Sequence, residues 1–472
     1  MAKGSTIVLY PAPGAGHLVS MVEFGKLILY HHPSLSISIL ISAAAHDAAY
    51  IDNVSATVPS LSFRRLPTVS LPQDHPASSM PKALQSFDLT RLNNPNLRQT
   101  LLDISQTSTP KALVIDFFCS AASEIAVEFQ IPTFFFFTSG AYVLAFFLYL
   151  PTIHHRNTPR TLKDLPADTH LDVPGAPPFL LSDMPQEMLN FEIFYRNFLS
   201  TAIQMAKSAG IIVNTFRLLE ENAIKTIEEG LCVPGDRTPP IFCMGPLVTT
   251  SAAADKKHDC LIWLDLQPER SVVFLCFGSM GQFSEAQLKE TAAGLERSGT
   301  RFMWVVRNPP TGGDTGPNLA GGKASLESLL PVGFLDRTRD RGLVVRDWAP
   351  QAAVLSHDSV GGFVTHCGWN SILEAVRGGV PMVAWPLYAE QRLNRTALVA
   401  AMGVALPMNV SENGFVSADE LAERVSELMD SEKGKAVWER VAAMRDGAME
   451  AIRAGGSSIV DLVKFVDSLR LG

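Results

Sequence analysis

Apolar residues along the chain gather into short unbroken runs, separated by longer stretches in which apolar and polar positions follow helical spacing. The runs Thr6–Tyr10, Ser36–Ile41, Ala112–Ile115, Thr133–Phe137 and Ile211–Asn214 read as strands. A second series follows at Val272–Phe277, Phe302–Val306, Leu343–Val345, Gly362–Thr365, Met382–Ala384 and Val404–Leu406. Strands apolar on both faces suit parallel sheets covered by helices. Strand and helix alternating at this spacing predict a doubly wound α/β fold, formed twice.

Length agrees, because single cores stop growing near ~250–300 residues and this chain has 472. The expected division is a Rossmann-like domain over 1–245, a linker over 246–260, a second Rossmann-like domain over 261–455 and a C-terminal helix over 456–472 that packs back toward the first domain. Gly245-Pro246 ends an apolar run, and Thr249–Lys257 is small and polar, as a linker should be. Asn308–Lys323, rich in Gly and Pro, reads as a long surface loop of the second domain. The last helix, about Ser458–Leu471, follows Gly455-Gly456.

One segment, Ile131–Leu150, is almost wholly apolar and about as long as a bilayer span. Pro132 opens it, Thr138-Ser139-Gly140 interrupts it and Pro151 closes it. A buried strand over Thr133–Phe137 and a buried helix over Ala141–Leu150 fit better than a membrane span. Met1–Leu9 has no cleavable apolar stretch, so no secretory leader is expected.

Charge narrows the choice of partners. With 39 basic and 47 acidic residues the formal net charge is -8, and no block of like charge argues for a nucleic-acid surface. Six scattered cysteines form no Cys-x-x-Cys pair, which points to a reducing compartment and no disulfide framework. A cytoplasmic metabolic enzyme is expected.

In open α/β sheets ligands bind at the carboxyl ends of strands, and four such ends carry unusual chemistry. Pro11-Ala12-Pro13-Gly14-Ala15-Gly16-His17 follows the first strand. Val19 stands where a dinucleotide fingerprint has its third glycine, which weakens a NAD-dependent oxidoreductase reading. His17 is either a helix-start histidine bonded to nearby backbone or a general base. Asp116 ends the strand Ala112–Ile115. It could cap the next helix, or fix the tautomer of a histidine and stabilise its imidazolium. Strands one and four of such a sheet can lie side by side, so a His17–Asp116 pair is geometrically possible. Gly278-Ser279-Met280-Gly281 precedes a helix with the capping-box form Ser284-Glu285-Ala286-Gln287. It is either a tight turn or an anion site. Last, His366-Cys367-Gly368-Trp369-Asn370-Ser371 leads into Glu374 and a helix ending at Gly378-Gly379. Ser371 and Glu374 could form a capping box by themselves. A helix start crowded with donors is also a good diphosphate site.

The stretch from Trp348 to Gln391 resembles the signature of plant secondary-product UDP-dependent glycosyltransferases. It contains Trp348-Ala349-Pro350-Gln351, His357, Phe363-Val364-Thr365-His366-Cys367-Gly368-Trp369-Asn370-Ser371, Glu374, Gly379-Val380-Pro381, Trp385-Pro386-Leu387 and Glu390-Gln391. The resemblance extends to the Pro-Gly-x-Gly-His turn, Asp116, Phe277-Gly278-Ser279 and Gly455-Gly456-Ser457-Ser458, nearly the whole chain.

That resemblance implies a GT-B fold of two facing Rossmann-like domains. The first would be acceptor-binding and the second would bind the UDP-sugar. Trp348 would stack on the uracil, Ala349 would bond its edge through the backbone, and Gln351 would help hold the nucleoside. Glu374 would accept from the ribose. Ser279, His366, Asn370 and Ser371 would hold the diphosphate. Glu390 and Gln391 would bond the sugar hydroxyls, helped by Trp369 and by Thr138 of the first domain. The catalytic pair maps to His17 and Asp116. His17 would take the acceptor proton, and the acceptor oxygen would displace UDP with inversion to a β-glycoside. No metal and no cofactor beyond the co-substrate UDP-glucose would be needed. In the family, histidine in place of Gln391 favours galactose and arginine in place of Trp369 favours glucuronic acid, so glucose is the expected donor sugar. Phe277–Phe283 and Arg301–Arg307 look most like members acting on flavonoids, chalcones and related phenolics. Gly14, Phe118, Tyr142 and Met184 are candidate acceptor contacts, with core packing the alternative for the last three. C-, N- or S-glucosylation of a similar aromatic acceptor is the alternative bond type. The expected enzyme is a monomer with no nucleic-acid partner and no membrane span.

Overall fold

The computed structural model describes residues 3–42, 48–75, 77–78, 80, 85–157, 162–249, 258–310, 325–411 and 413–469. It divides into two compact units. One is Met1–Leu247 with Glu450–Gly472, and the other is Val248–Met449. Residues 250–257 of the expected linker, 311–323 of the expected surface loop and the last residues of the expected C-terminal helix lie outside the described residues.

In the first unit a seven-stranded parallel sheet takes the order β3-β2-β1-β4-β5-β8-β9. Its strands are β1 Gly4–Tyr10, β2 Ser36–Ser42, β3 Leu61–Leu66, β4 Ser108–Asp116, β5 Thr133–Phe137, β8 Gly210–Val213 and β9 Ile241–Cys243. A two-residue hairpin, β6 His170–Leu171 with β7 Phe179–Leu180, stands apart from it. Strands β1, β4 and β5 are buried along their carboxyl halves, because helices cover both faces of a parallel sheet. Hydrogen-bond register runs from Ile7↔Ala112 to Tyr10↔Ile115, so β1 and β4 end level with one another.

The C-terminal helix Ser457–Ser468 belongs to this unit. Its Phe465 rings against Phe24 at 5.8 Å, Phe134 at 5.0 Å and Phe242 at 5.7 Å. Asp461, 1 % exposed, accepts from the Cys243 amide at 3.1 Å and pairs with Arg217 and Lys464. A buried carboxylate is tolerable only with such partners.

The second unit's six-stranded parallel sheet has the order β12-β11-β10-β13-β14-β15. Its strands are β10 Val272–Cys276, β11 Arg301–Val306, β12 Gly342–Arg346, β13 Val360–Thr365, β14 Met382–Ala384 and β15 Ala405–Pro407. Each sheet reverses its winding direction beside its first strand, the arrangement that opens a crevice at the carboxyl ends.

Three local expectations are corrected. The helix starting at Ala141 runs through Pro151 to Asn157. Proline forfeits one helical bond, but this helix buries nearly every side chain from 141 to 150 and Ile153 beyond the proline, so packing outweighs the loss. Ser284 caps the helix Glu285–Ser298 through the Gln287 amide. The Gln287 side chain does not reach back; it bonds Val416 N and O at 2.9 and 2.8 Å. Ser371 and Glu374 form no capping box, because the helix Trp369–Gly378 already begins with Gly368 as its cap. Strands β3 and β9 escape the hydrophobic pattern for separate reasons: β3 is only half apolar with Arg64-Arg65 in its middle, and β9, though buried, has three residues.

Phe465→Ala is expected to lower the stability of the first unit by about 3–5 kcal/mol, the usual cost of emptying a phenylalanine site. Urea unfolding checks it, and a loss under 1 kcal/mol would mean that the helix does not anchor this core.

Candidate active site

At the switch point of the first unit, β1 runs into the turn Pro11–Gly14 and the helix Ala15–His31. Gly14 caps that helix at φ 139°, a conformation closed to most side chains. A Cβ there would also meet the His17 ring carbon Cδ2 at 3.2 Å. His17 projects from the helix's first turn with 26 % of its side chain exposed. Its Nδ1 lies 2.8 Å from Asp116 Oδ2. Asp116 is fully buried at the end of β4, and its other oxygen accepts from the Phe118 amide at 3.1 Å. In this structure Asp116 makes both contacts: it caps the short 3-10 turn Phe117–Cys119 and bonds the imidazole. With Nδ1–H directed at the carboxylate, the lone pair of a neutral ring sits on Nε2.

Thr138, just beyond β5, places Oγ1 3.4 Å from His17 Nδ1. Its loop is held from behind by a residue that sequence reasoning missed. Glu220, fully buried, accepts from the amides of Ala141 and Tyr142 at 2.8 and 2.9 Å. Its carboxylate faces the start of a helix, where negative charge is favoured. Burial pushes its pKa up, against those hydrogen bonds.

Among the candidate acceptor residues, Gly14 and Phe118 adjoin His17; the Phe118 ring meets the imidazole edge-on at 5.7 Å. Tyr142 and Met184 are packed in the interior, at 4 % and 1 % exposure. A ring cluster unannounced by sequence spacing surrounds Phe118. Phe87 lies 4.9 Å from it, and Phe117 and Phe198 lie 5.5 and 6.1 Å away. Phe117 is its chain neighbour, but Phe87 and Phe198 come from separate helices, so no local periodicity could have shown them together.

The second unit repeats the geometry of a switch point with different groups. Ser279 follows β10 and His366 follows β13, the neighbouring strand. His366 is wedged between two glycines: a Cβ at Gly278 or Gly368 would lie 2.5 or 2.4 Å from its Nε2. Its Nδ1 is buried without a hydrogen-bond partner. Burial, assisted by the Arg307 charge, pushes the imidazole pKa down to about 4, so the ring is neutral at pH 7. Cys367, next in the chain, takes φ 65°, a strained value for a residue with a side chain.

The helix Trp369–Gly378 starts here without a side-chain cap, leaving its first amides as donors. Ser371 and Glu374 share one partner. Gln351 Nε2 donates to Ser371 Oγ at 2.8 Å and to Glu374 Oε2 at 2.6 Å. Burial pushes the Glu374 carboxyl up to about 7, with Gln351 opposing the shift. Trp348 is 61 % exposed, unusual for an indole, and its ring meets the edge of His258 at 5.7 Å. Ala349 beside it is buried. Gln391 spends its carbonyl oxygen on the Leu387 and Tyr388 amides at 2.9 and 3.0 Å. Its side chain also bonds the Tyr388 phenol. Trp369 is buried, while Asn370 and Glu390 are half-buried at the starts of their helices. Among the described residues no group of three or more His, Cys, Asp or Glu could hold a metal ion. No described helix is long and apolar enough to cross a membrane.

Two Rossmann-like sheets of the GT-B type are the architecture of sugar-nucleotide transferases. One here ends in a histidine–carboxylate pair and the other in a glycine-lined imidazole at a helix start. Residues 98–444 match the family model UDP-glucoronosyl and UDP-glucosyl transferase, and the chain belongs to that family. It is 51 % identical over 478 residues to an anthocyanidin 5,3-O-glucosyltransferase of a Rosa hybrid cultivar, covering 98 % of each chain. It is 49 % identical over 477 residues to isoflavone 7-O-glucosyltransferase 1 of Glycine max, with 98 % of each chain covered. Among solved structures it resembles Phytolacca americana UGT2 complexed with UDP-2fluoro-glucose and pterostilbene. That match has 37 % identity and a TM-score of 0.86, covering 99 % of this chain and 100 % of that one. Membership answers the question left by the first glycine turn in favour of glycosyl transfer and against nicotinamide chemistry.

The Glu374 shift has a stability consequence. A carboxyl whose folded pKa is raised from 4.5 to about 7 keeps its full contribution below the unfolded value and loses it as pH rises toward the folded one. Glu374→Gln removes that loss. The variant is expected to match the wild type near pH 4.5 and to exceed it by up to about 3 kcal/mol at pH 8, at ~1.4 kcal/mol per pKa unit. Parallel urea-stability profiles from pH 4.5 to 8 would refute the shift.

Proposed function

We propose that this enzyme transfers glucose from UDP-glucose to a hydroxyl of a small phenolic acceptor of the flavonoid or chalcone type, with inversion to a β-glucoside. The observation that carries the reading is the 2.8 Å His17–Asp116 hydrogen bond at the switch point of a family member. Relatives named for glucosylating anthocyanidins and isoflavones support the acceptor class, and one named for phloretin 2'-O-glucosylation supports chalcone-like shapes.

His17 Nε2 takes the proton of the acceptor hydroxyl while Asp116 stabilises the imidazolium that forms. The oxygen attacks the anomeric carbon in line, and UDP leaves. Trp348 offers its exposed face to the uracil, where ring stacking is worth ~0.5–1.5 kcal/mol beyond burial. Glu374 and Gln351 take the ribose. Ser279, His366, Asn370, Ser371 and the first amides of the helix Trp369–Gly378 take the diphosphate. A neutral His366 serves as a hydrogen-bond donor there. Glu390, Gln391 and Trp369 take the sugar. Gly14 and the half-buried Phe118 ring, backed by buried phenylalanines, suit a flat aromatic acceptor. The orphaned Nδ1 and wedged ring of His366 support a built polar site rather than a packing residue. The reading includes action as a cytoplasmic monomer without a metal, so turnover should survive EDTA.

Incubating the protein with UDP-glucose and a panel of flavonoids, chalcones and simple phenols, then reading product mass and acid lability, tests the reading. Acid-labile monoglucosides are expected. Acid-resistant products would make the bond a C-glycoside, and no transfer to any phenol would end the proposal. His17→Ala is expected to lower turnover ~10²–10⁴-fold and to leave UDP affinity within about twofold; unchanged turnover would remove His17 as base. UDP affinity should fall as pH drops below about 7, by at most tenfold per unit, because the ribose hydroxyls donate to an ionised Glu374. Glu374→Gln should flatten that profile.

A further inference from the structure

Arg307 lies just past the end of β11 (Arg301–Val306) and is used by none of the roles assigned above. Its Nη1 donates to the carbonyl of Ser279, in the turn that follows β10. Its Nε donates to the carbonyl of Asp347 at 3.2 Å, in the turn that follows β12. Strands β10 and β12 flank β11 in the sheet, so one guanidinium spans three consecutive strand ends.

The turn after β12 is strained: Asp347, a residue with a side chain, takes φ 63°, and such a conformation persists only where the surroundings over-determine it. Gly278, before Ser279, takes φ 71°, which glycine adopts freely. Asp347 is held on both sides, its amide by the Val306 carbonyl at 2.9 Å and its carbonyl by Arg307. The next residue is the exposed Trp348. A planar fork with donors in fixed directions can hold two carbonyls at a set separation, and an ammonium on a flexible stem cannot.

We infer that Arg307 is a positioning residue that fixes the distance between the Trp348 platform and the Ser279 turn, and thereby selects a ligand whose base and diphosphate are one ribose apart. The inference rests on the donor reading above. The guanidinium also lies close enough to His366 for its charge to help keep that ring neutral.

The test compares full-length wild type, Arg307→Gln and Arg307→Lys. Calorimetry gives UDP and uridine affinities, steady-state kinetics give KM for UDP-glucose, and amide hydrogen exchange reports on residues 277–281 and 346–350. UDP affinity is expected to fall about tenfold in both variants, the size of one lost charge-assisted hydrogen bond, while uridine affinity falls no more than about threefold. KM for UDP-glucose should rise about tenfold while kcat stays within about twofold of the wild type, and exchange should accelerate in both turns together. Three results overturn the inference: UDP affinity retained by Arg307→Lys, equal losses for UDP and uridine, or unchanged exchange in the two turns. A wild type that fails to bind UDP would sink the donor reading instead, and the exchange comparison would still decide whether Arg307 ties the turns.

Discussion

Everything chemical in this chain depends on where two adjacent parallel strands end. In each sheet the first strand has neighbours reached by crossovers of opposite winding, and the carboxyl ends there are left uncovered by helices. In the first unit β1 and β4 finish level, so His17 and Asp116, ninety-nine positions apart in the chain, meet at 2.8 Å. In the second, β10 and β13 deliver Gly278 and His366 to the same kind of corner. Parallel strands cannot be joined by tight turns, which is why partners at such corners are always far apart in sequence.

What differs between the corners is how water and charge are managed. Asp116 is fully buried, but both its oxygens are answered, one by the imidazole and one by the Phe118 amide. The ion pair that forms on protonation of His17 therefore needs no rearrangement of the carboxylate. His366 is the reverse case. Two glycines press on it, its inner nitrogen has no partner, and burial keeps it neutral. Glu374 is held near the middle of its titration at pH 7 by the same exclusion of water. A corner built of neutral donors, a half-titrating acid and a helix start, with the Arg307 guanidinium beside it, is poised for an anion with sugar hydroxyls attached.

Much of this could be read along the chain. Continuous apolar runs exposed the interior strands, and glycines beside His17 and His366 marked turns where backbone or ring comes close. Strand β3 was illegible because its half-exposed edge carries Arg64 and Arg65, and β9 because three buried residues are too short a run to stand out. Pro151 misled for a complementary reason: local propensity marks a stop, while the buried face of the helix carries it on to Asn157. Ser371 and Glu374 show the limit of short motifs. Their spacing fits a cap, yet the helix starts two residues earlier and both side chains turn to Gln351.

The amino-acid order by itself determined the fold class, the strand ends that carry chemistry and the residue types standing at them, because hydrophobic period and glycine placement are local properties. Only the tertiary structure decided which distant residues touch. It joined His17 to Asp116, gathered phenylalanines from separate elements around Phe118, set Glu220 behind the Thr138 loop and stretched Arg307 across three strand ends. Those contacts follow from sheet order and helix packing, which are fixed by burial summed over whole units rather than by any stretch of neighbouring residues.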